Sequence, residues 1–95
     1  MIQNRFDISS FVDVRTTDAV KADLVNRFIK RRKEYGLTQK QLAQKSGVSY
    51  ASIRRFEEIG EVSFTSLLQL ADSIGMLEDF DVIFKNTIIR NINIK

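Results

Sequence analysis

Arg54 and Arg55 close the run TQKQLAQKSGVSYASIRRF, Thr38 to Phe56 of this 95-residue chain, and are the side chains best suited to a specific contact. A guanidinium fits guanine O6 and N7 with two parallel hydrogen bonds, worth roughly 1–3 kcal/mol of discrimination between bases. The alternative use of the pair is an ion pair to Glu57 or Glu58 along one helix face, worth roughly a few tenths of a kcal/mol. One turn earlier stand Ser49, Tyr50 and Ala51. Tyr50 can pack on a thymine methyl, bond a phosphate, or rest on a neighbouring side chain. Ala51 permits close approach to a methyl group. Ser49 is first a helix cap, so its oxygen is partly committed to a backbone amide. Base contacts are therefore expected first from the outward side chains Tyr50, Arg54 and Arg55. Arg55 is the stronger of the two arginines, because it faces away from the Ile53/Phe56 side. Phosphate contacts are expected from Thr38, Gln39 and Lys40 at a helix N-terminus and from Ser52. Arg31 and Arg32 add sequence-blind attraction or simply solvate a helix end.

Other chemistries find little to work with. The chain has no cysteine and no histidine, which removes disulfides, thiolate chemistry, Cys/His zinc sites and imidazole acid–base catalysis. Glu57, Glu58 and Glu61 read as a solvated turn. No nucleophile–base pair, phosphate loop or metal cluster can be placed, so neither an enzyme nor a cofactor is expected.

The positioning elements follow from spacing. Thr38–Phe56 reads as two short helices joined by a tight turn. Ala43 falls where the helices must approach closely, Gly47 in the turn, where φ > 0 is needed, and Val48, Ile53 and Phe56 pack the second helix on the first. This is helix-turn-helix spacing, which puts the second helix in the DNA major groove. Upstream, Thr17 is the expected N-cap of a long helix over about 18–35. Its apolar stripe is Val20, Leu24, Val25, Phe28 and Ile29, Lys30 to Lys33 suit the negative end of its dipole, and Gly36 stops it. Three later starts repeat one device, an apolar residue, a Thr or Ser cap, and an apolar residue four positions on. The trios are Leu37–Thr38–Leu42, Val48–Ser49–Ile53 and Val62–Ser63–Leu67, and Thr38 with Gln41 adds a capping box. They place helices at about 39–45, 50–58 and 64–74. Phe64, Leu67, Leu68, Ala71 and Ile74 are expected to form the core face of the last. A short fifth turn spans Leu77 to Phe84.

The chain allows one domain with a modest core, because this length buries only about 60–65% of its unfolded surface. The expectation is an all-α, five-helix domain over 17–84, an N-terminal arm over 1–16, and a tail over 85–95 that is a strand or disordered. Brief alternation at Phe6/Ile8 and Val12/Val14 permits short strands. No apolar run approaches the ~20 residues of a membrane helix, and MIQNRFDISS does not read as a secretory signal; a cytoplasmic protein is expected.

Charge is segregated. Segment 21–55 carries ten basic and two acidic residues, net +8, and segment 56–84 seven acidic and no basic ones, net −7. A basic face around the second motif helix is the electrostatic footprint of nucleic-acid binding. Phe80, Ile83, Phe84, Ile88, Ile89, Ile92 and Ile94, with Phe6, Ile8 and Phe11, exceed what the bundle can absorb. Phe80, Ile83 and Phe84 are expected at a dimer or partner interface. The alternative is a self-covering core, with the N-terminal arm lying over the C-terminal helix.

Gln39, Ala43, Gly47, Ile53 and Phe56 resemble the pattern of the Cro and lambda-repressor-like, or XRE, family over roughly residues 20–75. The resemblance implies a compact bundle of about five helices that binds operator DNA as a homodimer. It places Gln39 at a phosphate, and at bases the exposed residues early in the second motif helix, Ser49, Tyr50 and Ala51, followed one turn later by Arg54 and Arg55. A narrower likeness, to HipB-type antitoxin and repressor proteins, rests on KRRKEYGLTQKQLAQKSGVS, RRFEEIGEVSFTSLLQLADSIGML and LEDFDVIF. It implies a bacterial, nucleoid-associated autorepressor with a HipA-like kinase toxin as partner. A solitary regulator of the same family, or an adaptor that has lost DNA binding, is the alternative. The chain departs from the family pattern in its acidic loop, Glu57, Glu58 and Glu61, where a neutral or positive loop commonly helps to hold phosphate.

Overall fold

A computed structural model describes residues 15–87; the strand expectations at Phe6/Ile8, Val12/Val14 and Ile92/Ile94 lie outside them. Four α-helices follow in order, α1 (Thr17–Glu34), α2 (Gln39–Ser46), α3 (Tyr50–Ile59) and α4 (Phe64–Ser73), and a 3-10 helix (Leu77–Val82) closes the series. The all-α, five-helix expectation holds. The fifth element is a 3-10 helix that ends before Ile83 and Phe84.

Each α-helix starts on a hydroxyl. Thr38, Ser49 and Ser63 have extended backbones and accept the N–H of Gln41, Ser52 and Ser66 respectively. Gln41 Oε1 accepts the Thr38 N–H at 2.8 Å and completes the capping box. In α1 the cap is Thr16, not Thr17; its Oγ1 accepts the Ala19 N–H at 3.0 Å. Two threonines compete there, and the cap at Thr16 leaves Asp18 inside the positive first turn. The far end of α1 closes by paired bonds, Leu37 N–H to Arg32 C=O at 3.2 Å and Gly36 N–H to Lys33 C=O at 2.9 Å.

The core joins Val25 and Phe28 of α1, Leu42 of α2, Val48 of the turn, Ile53 and Phe56 of α3, and Leu70 and Ile74 of α4. Phe28 meets Phe56 edge-on with ring centroids 5.1 Å apart. Leu42, Ile53, Leu70 and Ile74 are fully buried, each contributing about 1.5–3 kcal/mol of hydrophobic stabilisation. The packing corrects the stripe of α4. Leu70 is at its centre, and Phe64, the first residue of the helix, is 66% exposed. At the helix end Phe64 packs edge-on against Phe80 of the 3-10 helix, 6.4 Å between centroids, and not into the bundle. Val20 is likewise exposed, one turn into α1 and short of the core.

Candidate nucleic-acid interface

The turn between α2 and α3 is fixed by Gly47. Its backbone is left-handed, φ 80°, and its N–H bonds Ala43 C=O at 3.0 Å. Nothing lies within 4 Å of where a Cβ would stand, so glycine is required here for its conformation and not for space. Val48 is buried directly after it. Ser49 Oγ accepts the Ser52 N–H at 3.0 Å and donates to Ser52 Oγ at 2.8 Å. The cap thus engages both serines, leaving Ser49 little capacity for a base and Ser52 a hydroxyl proton for a phosphate.

The outward face of α3 carries Tyr50, Ala51, Arg54 and Arg55, all exposed. The Tyr50 ring has two cations over it, Lys40 Nζ from α2 at 5.4 Å and Arg54 Cζ at 5.7 Å. Such contacts at an exposed ring are each worth about 0.5–1 kcal/mol. Arg54 also reaches Glu58 at 3.5 Å along the helix, an exposed pair. Among the described residues, Arg55 has no ion-pair partner. It lines a polar depression with Ser52, Glu61, Ser63 and Ser66, beside the N-terminus of α4. The guanidinium expected to be the stronger reader is the one left unpaired on this face.

Two of the residues expected at phosphates are engaged inside the bundle. Arg32 is buried. Its Nε and Nη2 donate to the Glu57 carboxylate at 2.7 and 2.9 Å, and Nη1 donates to Leu37 C=O at 2.8 Å. That corrects the expectation of a phosphate contact or solvated helix end at Arg32: helical register carries Arg32 inward, one turn after Phe28. Glu57 is no solvated turn residue either, for its side chain is only 6% exposed. Gln39 Nε2 donates to the same carboxylate at 2.8 Å, leaving Gln39 its backbone N–H for a phosphate. The triad ties α1, α2 and α3 together at one point. Its signal was in the spacing, since Glu57 falls four residues after Ile53 and adjoins Phe56.

Thr38 keeps its cap role, Lys40 is exposed, and Arg31 is half-buried with Glu34 at 3.8 Å. The expected acidic loop is corrected: α3 runs to Ile59, so Glu57 and Glu58 are helical and Glu61 alone lies in the loop, where it is pinned back. Glu61 accepts from Lys21 Nζ at 2.7 Å, and that hydrogen bond, then the lysine charge, holds its carboxyl below the usual range, with a smaller pull from Arg55. On another part of the surface Phe80 is half-buried, while Ile83 and Phe84 are exposed. Among the described residues no three His, Cys, Asp or Glu side chains converge as a metal site, and no helix is long and apolar enough to cross a membrane.

A family described as helix-turn-helix matches the chain over residues 29–78, just over half its length. No curated protein and no solved structure matches it.

Proposed function

The chain belongs to the helix-turn-helix family of the Cro and lambda-repressor-like (XRE) kind and is a DNA-binding transcriptional regulator, and we propose that it is a repressor that reads a near-palindromic operator as a homodimer. The supporting observation is the outward face of α3, where Arg55 stands unpaired among the described residues and Tyr50 is braced by Lys40 and Arg54. In this reading Tyr50, Ala51, Arg54 and Arg55 meet base edges, with Ser49 a cap first. The Gln39 backbone, Lys40, Ser52 and Arg31 meet phosphates. Titration of a duplex carrying the DNA upstream of its own gene, at 50 and 200 mM salt, tests it. Specific binding that weakens by orders of magnitude at the higher salt is expected, because neutralised phosphates release counterions. No shift of that duplex at the lower salt rejects the repressor reading.

The protein partner we propose is a HipA-like kinase toxin, with the chain as its antitoxin and autorepressor. Two features support it, the likeness of 17–84 to HipB-type proteins and the exposed acids Asp72, Glu78, Asp79 and Asp81. Such a surface steers and orients a basic partner more than it sets affinity. Co-purification with the product of the adjacent gene tests the pairing, and a product that is no kinase removes it.

A further inference from the structure

Phe84 is 99% exposed and has φ 62°, the positive-φ non-glycine among the described residues. It sits at the tip of a turn closed by Lys85 N–H to Val82 C=O at 3.2 Å, after Ile83 at φ −67°, ψ 130°. Those angles are those of a type II turn, whose third position calls for glycine. A bulky side chain there is strained, and such strain persists where it serves something. Beside it lies an apolar groove of about 240 Å³ between α1, α4 and the 3-10 helix. Phe28 and Phe56, both buried, stand at its base, Leu67 and Met76 line it, and the exposed Ile83 borders it. A cavity of roughly 150 Å³ already accepts benzene. Arg27 and Asp79 also line the groove, and neither has an ion-pair partner among the described residues.

We propose that the occupant is a second copy of this chain, with Phe84 of each protomer inserted in the groove of the other. One patch then carries both the projection and the recess, as a two-fold contact requires. The same axis brings Arg27 of each protomer to Asp79 of the other, so the charges left single in one chain are matched in the pair. The inference rests on the homodimer reading above and gives it an interface.

Phe84→Gly tests it without endangering the fold, because glycine suits the turn. The variant is expected to keep its helical signal, with its monomer no less stable because the turn strain is relieved, while its dimer dissociation constant rises roughly 30-fold or more, as for a central aromatic anchor. Arg27→Glu and Asp79→Lys are each expected to weaken the dimer, and the two together in one chain to restore it. Sedimentation equilibrium on the full chain reads all four. An unchanged dimer in Phe84→Gly, or no rescue in the double variant, overturns the interface and leaves the homodimer standing. A wild-type chain that stays monomeric at tens of micromolar, alone and on operator DNA, removes both.

Discussion

Glu57 and Glu58 are chemically identical neighbours on α3 with opposite work. Glu57 holds Arg32 and Gln39 inside the bundle, whereas Glu58 meets Arg54 in solvent. Glu57→Ala strands a buried guanidinium and is expected to cost about 3–5 kcal/mol of stability. Glu58→Ala is expected to change stability by less than about 1 kcal/mol, and it frees Arg54. Urea unfolding of the two variants checks the contrast; similar losses would remove the structural role given to Glu57. The two arginines divide as well. Arg55→Ala is expected to cost about 1–3 kcal/mol of operator affinity and to relax preference at one position if Arg55 reads a base; if it holds a phosphate instead, binding weakens alike on all sequences and the salt slope falls by about 1. Binding to a set of single-base operator variants distinguishes them, and unchanged affinity takes Arg55 out of the interface. The outward residues of α3 were legible because the apolar phase of Val48, Ile53 and Phe56 fixes the other side. Arg32 and Glu57 were not, because residue type argued for solvent while register argued for the core, and only the three-dimensional pairing shows that each neutralises the other.

The elements were legible through their ends more than through their middles. Thr38, Ser49 and Ser63 are hydroxyls set between apolar residues, a local pattern that needs no tertiary knowledge. The choice between Leu70 and Phe64 for the centre of α4 depends on how far neighbouring helices reach, which no local pattern holds. Two glycines separate conformation from space. Gly47→Ala places a Cβ in open space at positive φ, so it is expected to cost roughly 1–2 kcal/mol, the left-handed strain alone. Gly75→Ala carries the same strain, and its Cβ also collides with the Tyr35 hydroxyl, which lies across the end of α4. Its larger loss is expected to shrink to that of Gly47→Ala when Tyr35→Ala is added; additive losses would show that Tyr35 simply moves aside. Lys21 and Glu61 join α1 to the loop that leads into α4. The Glu61 carboxyl is lowered by Lys21, so its contribution is present above the ordinary value of 4.5 and is lost as pH falls through the lowered one. The Lys21 ammonium is raised by Glu61, so its contribution is present below 10.5 and is lost as pH rises through the raised value. Melting of wild type against Lys21→Met is therefore expected to differ across neutral pH and to converge at strongly acid pH. A difference that persists there would mean the lysine acts by packing.

At the scale of the whole molecule the argument turns on how little one reading helix can specify. Ten residues of α3 span about 15 Å, and only its outward side is free to meet bases, so on the proposed reading one protomer covers a few base pairs. A two-fold dimer sets two such helices about one DNA turn apart, roughly 34 Å. Charge supports the orientation. The basic segment 21–55 includes the outward face of α3, while four of the seven acids of 56–84, Asp72 of α4 and Glu78, Asp79 and Asp81 of the 3-10 helix, lie beyond it; on the proposed reading they disfavour DNA on that side and leave phosphates to Lys40, Arg55 and their neighbours. Rigid spacing has a sharp consequence. Five base pairs inserted between operator half-sites turn one half-site to the opposite face of the duplex. The dimer then engages one half-site only, and affinity is expected to fall towards the non-specific level, typically 10³-fold or more weaker. Ten inserted pairs restore the face but stretch the separation by a full turn, so a dimer held by the Phe84 contact should not recover. Binding that ignores the five-pair insertion would show that the two reading helices are not rigidly coupled, and equal recovery with ten pairs would point to independent protomers on separate half-sites.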